Sequence, residues 1–301
     1  MSWLRLIFET ERTRVEALSE ALADVGAAAV SLEDNGDEPV LEPAPGETPL
    51  WSSTRVSGLF QADASMPAIL AELESRCSPL PPHRTEVLED RDWVRVWMDR
   101  FVPMRFGERL WIVPKHCEPP DPRAVNLRLD PGLAFGTGTH PTTALCLEWL
   151  DACDCSGRQV IDYGCGSGVL GIAARLLGAD RVVGVDIDEQ AWVATRANAE
   201  ANGVDAGIRV GPPEIGSSAA DLVLANILAG PLIELASTLV SLTRPGGHIV
   251  LSGILAEQAD PVMEGYRAWF DLDPPVVKEG WVRITGVRTD DFFEGSFPIS
   301  G

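Results

Sequence analysis

The first 90 residues alternate short apolar runs with two amphipathic segments. Val15, Leu18, Leu22 and Val25 recur at helical spacing, so residues 14–25 are predicted to form a helix. The other elements predicted here are strands at 3–8, 28–32, 55–60 and 85–88 and a second helix at 67–77. The order β-α-β-β-α-β predicts a small ferredoxin-like α+β domain over residues 1–90.

Residues 91–118 are predicted to form a linker. A short helix places Trp93 and Trp97 on one face, where they could pack between two domains. A hairpin over residues 101–114 follows and turns at Gly107.

From residue 119 to residue 301 the apolar pattern switches regularly between strand and helix. The predicted strands are 160–162, 181–186, 207–210, 221–225 and 247–251, and the predicted helices are 142–151, 168–178, 189–202, 231–243 and 257–270. Two final apolar runs, 272–278 and 281–288, are predicted to pair as an antiparallel hairpin. Such alternation predicts a mostly parallel, Rossmann-like α/β sheet in this larger domain.

The composition is that of a globular, cytoplasmic protein. Of 301 residues, 45% are hydrophobic and 23% are charged. No apolar run reaches the ~18 residues of a membrane span, and the N-terminus lacks a signal-peptide pattern. We therefore expect no membrane partner.

The charge is strongly negative, at -21. The first 90 residues hold 17 acidic and 6 basic side chains, a net of −11. Phosphate binding needs clustered Lys and Arg, so nucleic acid is not an expected partner. A basic protein is favoured instead. The six cysteines form no CxxC pair, and the four histidines are scattered, so we expect free thiols and no metal.

A glycine-rich loop carries the first chemical signal. Residues 160–168 read Val-Ile-Asp-Tyr-Gly-Cys-Gly-Ser-Gly, and Asp186 ends the next apolar run. Glycines let the backbone approach a nucleoside closely, and an acid at the end of the second strand accepts both ribose hydroxyls. Gly164, Gly166 and Gly168 are therefore predicted cofactor contacts, together with Asp186. The spacing from Gly166 also fits a nicotinamide site, which stays open as an alternative.

Two further segments favour a methyltransferase. Residues 129–143 are rich in glycine and threonine and run into a helix, whose first turn would include Thr142 and Thr143. Hydroxyl and free N–H groups there can hold the carboxylate of S-adenosylmethionine. Asn226 ends the fourth strand of the larger domain, where its amide oxygen can accept a hydrogen bond from an amine substrate.

These segments resemble the bacterial methyltransferase family of ribosomal large-subunit protein eleven. The similar stretches are Asp-Pro-Gly-Leu-Ala-Phe-Gly-Thr-Gly-Thr-His-Pro-Thr-Thr at 130–143, Ile-Asp-Tyr-Gly-Cys-Gly-Ser-Gly at 161–168, Asn-Ile-Leu-Ala at 226–229, Pro-Gly-Glu-Thr-Pro-Leu-Trp at 45–51 and the connector at 93–106. The one departure from the family pattern is Tyr163, because we expect the family to have Phe at this position.

The resemblance implies a substrate-recognition domain, a linker and a class I methyltransferase domain that binds S-adenosylmethionine. It implies methylation of lysine side chains and the N-terminal amine of a basic ribosomal protein. Carried over, Thr143, Gly164, Asp186 and Asn226 would contact the cofactor. We add Asn226 as the residue that orients the amine and expect a monomer.

Several alternatives stay open. The substrate could be another protein or a small molecule. Thr137 is predicted to touch the cofactor, although it could merely stabilise its loop. His140 could act as a base or only shape the chain beside Pro141, and Asp162 could orient the glycine loop. We predict that no single residue is an indispensable proton acceptor.

Overall fold

The computed structural model describes residues 3–36, 50–88, 101–129, 140–216 and 218–289. The chain divides into two units, Met1–Trp97 and Met98–Gly301. The predicted boundary at 90/91 and the predicted helix with Trp93 and Trp97 lie outside the described residues.

The first unit has the predicted ferredoxin-like topology. Its elements are β1 (Trp3–Glu11), α1 (Arg12–Asp24), β2 (Ala29–Asp34), β3 (Ser53–Gln61), α2 (Met66–Cys77) and β4 (His83–Leu88). The strands form one antiparallel sheet in the order β2-β3-β1-β4. The prediction of a β-α-β-β-α-β domain is thus confirmed for the described residues.

The first unit combines a buried apolar core with exposed ion pairs. Leu6 and Phe8 of β1 pack with Leu22 of α1 in this core, and Ile7 between them is buried as well. The next residue along β1, Glu9, instead pairs with Arg84, with its Oε1 3.0 Å from Nη1. Exposed pairs of this kind contribute only ~0–1 kcal/mol, so the core holds this unit together.

The second unit begins with a three-stranded sheet. Its strands are β5 (Met104–Phe106), β6 (Leu110–Val113) and β7 (Val125–Arg128). The predicted hairpin is confirmed, and Gly107 at its turn has the positive φ of 68°. Strand β7 was not predicted; it pairs parallel with β6, so the hairpin is continuous with the rest of this unit.

A large mixed sheet forms the body of the second unit. Its strands are β8 (Gln159–Tyr163), β9 (Arg181–Val185), β10 (Ile208–Gly211), β11 (Ala220–Asn226), β12 (Thr243–Leu255), β13 (Phe270–Leu272), β14 (Val276–Lys278) and β15 (Trp281–Arg288). The order is β10-β9-β8-β11-β12-β15-β13, with β14 also paired to β15. Strands β8 to β12 are parallel, and β15 runs antiparallel to its neighbours. The predicted Rossmann-like sheet with an antiparallel tail is confirmed.

Helices cover both faces of this sheet. They are α3 (Pro141–Ala152), α4 (Val169–Leu176), α5 (Glu189–Ala201), α6 (Ala229–Glu234), α7 (Ala236–Leu242) and α8 (Ala259–Tyr266). Val160 packs in the core cluster that contains residues of α3 and α4, and its neighbour Ile161 packs in the cluster that contains residues of α6 to α8. Burial on both faces explains why the central strands are continuously apolar. No helix among the described residues is long and apolar enough to cross a membrane.

Several predicted elements were wrong in extent. The helix predicted at 231–243 is two helices that meet at Leu235. The helix predicted at 257–270 ends at Tyr266, because the apolar residues that follow belong to β13. The run 272–278 is broken into two strands, since Pro274 and Pro275 cannot donate backbone hydrogen bonds.

Candidate functional site

The glycine loop lies between β8 and α4. Gly164, Gly166 and Gly168 all have positive φ, at 73°, 54° and 76°. Residues with a side chain rarely adopt this backbone conformation, and a Cβ at Gly164 would overlap Ile227. The three glycines therefore leave a strip of backbone without side chains in this loop.

Asp186 directly follows β9 and is tied to this loop. Its Oδ2 accepts a hydrogen bond from the Gly166 N–H at 2.9 Å, and its Oδ1 accepts from the Asp188 N–H at 3.0 Å. The carboxylate thus stands beside the glycines with a fixed orientation. The structure brings these predicted residues together.

Asp162 plays a different part from the one expected. Its Oδ2 accepts from the Gly171 N–H at 2.8 Å, so it binds the first turn of α4 rather than the glycine loop. Burial raises the pKa of Asp162 to about 7 against the opposing effect of the Gly171 hydrogen bond, and the negative charge of Asp186 adds to the rise.

Asn226 lies at the end of β11, on the other side of β8 from Asp186. Its Nδ2 donates to Thr143 Oγ1 at 3.3 Å. Its Oδ1 is buried and has no hydrogen-bond partner within the described ranges. A buried acceptor without a partner is costly, which marks this oxygen as a place where a ligand donor belongs.

The N-terminus of α3 completes this side of the site. His140 caps the helix: its Nδ1 lies 2.8 Å from Thr142 Oγ1 and accepts from the Thr142 N–H at 3.4 Å. Its ring meets Trp281 edge-on, with centroids 4.7 Å apart. Burial lowers the pKa of His140, so the imidazole is held neutral at pH 7.

These groups surround one cavity of about 590 Å³. Its described lining comprises His140, Thr142, Asp162, Tyr163, Gly164, Cys165, Gly166, Val169, Leu170, Val185, Asp186, Ile187, Pro213, Asn226, Ile227, Leu228, Pro231, Leu235, Gly253 and Trp281. Of the predicted contacts, Gly164, Gly166, Asp186 and Asn226 line it. Thr143, which accepts a hydrogen bond from Asn226, and Gly168, at the start of α4, are not part of this lining. Thr142 is part of it. Thr137 lies outside the described residues.

Several lining or supporting residues escaped the sequence analysis. Thr195 Oγ1 donates to the Gly166 carbonyl at 3.0 Å, and Asn198 Nδ2 donates to the Ser167 carbonyl at 2.9 Å, so α5 holds the loop from beneath. Gly253 has a φ of 86° and leaves no room for a Cβ beside Ile227. Among the lining residues that were missed, only Ile187 could have been recognised from the sequence, because it directly follows the predicted acid Asp186. Ile187 is 89% exposed and lines the cavity.

The sheet order and the cavity define a class of enzyme. A ligand site at the carboxyl ends of β8, β9 and β11, where the strand order reverses, is typical of Rossmann-like folds. An antiparallel strand placed between β12 and β13 is characteristic of class I methyltransferases, which use S-adenosylmethionine. No cluster of three or more potential metal ligands occurs among the described residues.

A family model described as "Ribosomal protein L11 methyltransferase (PrmA)" matches residues 2–289, so the chain belongs to this family. Proteins named ribosomal protein L11 methyltransferase are similar over nearly the whole chain. The one from Marinobacter nauticus is 55% identical over 297 residues, covering 96% of this chain and 100% of the relative. The one from Pseudomonas paraeruginosa is 55% identical over 294 residues, covering 97% and 100%.

A solved structure agrees with this assignment. The ribosomal protein L11 methylase of Lactobacillus delbrueckii subsp. bulgaricus superposes with a TM-score of 0.58 at 31% identity, covering 63% of this chain and 100% of its own. The resemblance inferred from the sequence is therefore confirmed, and so is the expected enzyme class. A nicotinamide oxidoreductase is not favoured.

Proposed function

We propose that this enzyme transfers methyl groups from S-adenosylmethionine to lysine side-chain amines and the N-terminal amine of ribosomal protein L11. The observation that carries the proposal is the combination of full-length family similarity with a cavity built for such a cofactor. We further propose that it acts in the cytoplasm as a monomer, without direct contact to nucleic acid.

The residues present fit the cofactor. We expect Asp186 to accept hydrogen bonds from both ribose hydroxyls and the nucleoside to lie against the backbone of Gly164 and Gly166; their positions in the cavity lining support this. The exposed apolar side chain of Ile187 offers a surface for the flat base. At the other side, the first turn of α3, which includes Thr142, offers N–H groups and hydroxyls to a carboxylate. Thr137, Thr143 and Gly168 remain predicted contacts.

The bound cofactor would supply an activated methyl group on a positively charged sulfur. The enzyme's remaining task is to present a neutral amine. A lysine amine has a reference pKa of ~10.4, so its neutral form costs roughly 4–5 kcal/mol at pH 7. Leu228, Pro231, Leu235 and Trp281 give this part of the cavity apolar walls, which favour the uncharged amine by excluding water.

Asn226 then orients the amine. Its buried Oδ1 accepts an amine N–H, which turns the nitrogen lone pair away from the amide, while Thr143 fixes the amide by accepting from its Nδ2. His140 is a poor proton acceptor here, because its Nδ1 lone pair is already shared with Thr142. This geometry supports the prediction that no single residue serves as an indispensable base.

The acidic first unit would hold the substrate protein. Residues 1–90 carry a net charge of −11, which attracts a basic partner at long range. Deleting residues 1–90 should abolish methylation of intact L11 and leave binding of S-adenosylhomocysteine unchanged in calorimetry. A truncated enzyme that still methylates intact L11 would refute this role.

The direct test of the proposed function is mass spectrometry of purified L11 after incubation with the enzyme and a deuterated cofactor. We expect heavy methyl groups on lysine residues and on the N-terminal amine. The Asp186→Ala enzyme, whose ribose acceptor is lost, is the control. Unmodified L11 alongside a methylated different protein in a ribosomal extract would redirect the assignment.

A further inference from the structure

A second cavity, of about 530 Å³, lies away from the methyltransferase site at the C-terminal end of α3. Its described lining is Gly107, Glu108, Arg109, Glu148, Asp151, Ala152, Cys153 and Asp154. Asp151 ties the β5–β6 turn to α3, since its carboxylate accepts from the Glu108 N–H at 2.6 Å and the Arg109 N–H at 3.0 Å. The turn therefore holds a cationic side chain beside the end of the helix.

Two thiols lie close together in the chain beside this cavity. Cys153 directly follows α3 and is half-buried on the cavity wall, whereas Cys155, two positions along the chain, is fully buried. Both side chains belong to one apolar cluster, with Cys155 as a buried member and Cys153 packed against it. An accessible thiol is thus backed by an inaccessible one, and all six cysteines of the chain are free.

The charges around the pair favour a thiolate on the outer sulfur. The hydrogen bond from Cys155 lowers the pKa of Cys153 to about 7, against the opposing effect of burial, and the positive charges of Arg158 and Arg109 add to the lowering. Asp154 opposes it. The pKa of Cys155 is raised by the same hydrogen bond and by its burial.

The remaining charged groups that line the cavity are all acidic. They are Glu108, Glu148 and Asp151. Glu148 pairs with Lys278 at 2.6 Å. Asp151 is bound at the cavity itself, to the Glu108 N–H and beside the Arg109 guanidinium, whose Nε lies 3.8 Å from its Oδ1.

We propose that Cys153 and Cys155 form an oxidisable dithiol site, in which a hydroperoxide such as hydrogen peroxide oxidises Cys153 and Cys155 then closes an intramolecular disulfide.

Both steps balance with peroxide as the only oxidant. The Cys153 thiolate attacks one peroxide oxygen, the O–O bond breaks, and the leaving hydroxide takes up a proton to become water. The Cys155 sulfur then attacks the Cys153 sulfenic sulfur, and its proton leaves with the sulfenic hydroxyl as a second water. The sulfur pair loses two electrons, and these reduce the peroxide.

The short chain separation between Cys153 and Cys155 limits the stability of the disulfide. Two extended residues place Cα atoms up to ~7 Å apart, at the upper limit of the ~4.4–6.8 Å that disulfides span. Bridging is therefore feasible with a small bend of the chain, and the bond should be easily reduced. A dithiol reductant should restore both thiols.

The test is peptide mapping of the intact, folded enzyme after treatment with hydrogen peroxide and alkylation of the remaining thiols. In wild type we expect the tryptic peptide 129–158 to lose two hydrogen atoms between Cys153 and Cys155, and to recover them with dithiothreitol. In Cys155→Ser the oxidation should stop at a sulfenic acid on Cys153, which dimedone traps. In Cys153→Ser neither product should form.

Two thiols serve as controls. Cys146 lies in the same peptide but is fully buried with a pKa raised to about 12, and Cys117 is half-buried elsewhere. Iodoacetamide reacts with the thiolate, so the lowered pKa of Cys153 should let it be labelled at least about fivefold faster than Cys117 at pH 7. Equal labelling rates, or a disulfide-free peptide after peroxide, would overturn the proposal.

Discussion

The two sides of the methyltransferase cavity are built from different chemistry. On the side of β9 and the glycine loop, the described lining holds both of its carboxylates, Asp162 and Asp186. On the side of β11 and α3 it offers the amide of Asn226, the imidazole of His140 and the indole of Trp281, all uncharged at pH 7.

This difference suits the two ligands of the proposed function. Ribose hydroxyls donate hydrogen bonds, which a carboxylate accepts strongly. An amine nucleophile has the opposite need, because a nearby carboxylate would stabilise the ammonium form and raise its pKa. A neutral acceptor such as Asn226 Oδ1 can orient the amine without protonating it.

The largest expected effect concerns Asp162. Because burial raises the pKa of Asp162 to about 7, this side chain keeps its proton in the folded protein up to about pH 7, whereas in the unfolded chain it loses the proton above pH ~3.9. The free energy of unfolding should therefore fall as pH rises from about 4 to about 7, and Asp162→Asn removes this dependence. Between pH 4 and pH 7 the free energy of unfolding of the variant should therefore rise, relative to that of wild type, by up to about 4 kcal/mol.

Thermal and chemical unfolding at several pH values would measure the Asp162 effect. The exposed Asp260→Asn in α8 is the matched control. Parallel stability curves for wild type and Asp162→Asn would contradict the account.

Loss of Asp186 should mainly weaken cofactor binding. Two hydrogen bonds to a charged acceptor are worth about 3 kcal/mol or more together, so Asp186→Ala should raise the Kd for S-adenosylhomocysteine at least about 100-fold. Asp188→Ala is the control: this neighbouring carboxylate caps α5 through the Gln190 N–H and does not line the cavity. Calorimetry showing similar affinities for the two variants would argue against the ribose contact.

Asn226→Ala should mainly slow turnover. Removing the acceptor that orients the amine should lower kcat about 30-fold, or ~2 kcal/mol, while the Kd for S-adenosylhomocysteine changes less than about fivefold. Steady-state kinetics with L11, paired with calorimetry, separates the two effects. Near-normal turnover would exclude Asn226 as the orienting residue.

The smallest effect is expected at the aromatic wall. Trp281→Leu removes ring contacts worth ~1 kcal/mol, so the KM for L11 should rise about fivefold with unchanged cofactor affinity. Trp111→Leu changes an indole on β6 that does not line the cavity, and it should leave KM as in wild type. If both variants raise KM equally, the wall at Trp281 has no specific role.

The sequence was most informative where backbone conformation is dictated by residue type. Glycines at positive φ, such as Gly164, and an acid closing the next strand can be recognised without coordinates. The break between α6 and α7 and the end of α8 could not, because the apolar pattern continues into the next helix in the first case and into strand β13 in the second. Strand β7, with only Val125–Arg128, was too short to show a period.

Supporting contacts were equally hidden. Thr195 and Asn198 hold the glycine loop from α5, about thirty positions along the chain, and nothing local distinguishes them from surface residues of a helix. Asp162 was expected to bind the loop, yet its partner is Gly171. This glycine has no side chain, so α4 can pack closely against β8 there. Such contacts depend on tertiary packing, which the local pattern does not encode.

The most direct test of the central claim is a crystal structure of the enzyme with S-adenosylhomocysteine. We expect the ribose hydroxyls on the Asp186 carboxylate, the nucleoside against Gly164 and Gly166, and the sulfur facing Asn226 across the cavity. A ligand bound elsewhere, or one whose ribose lies beside Asn226 and whose sulfur lies beside Asp186, would contradict it.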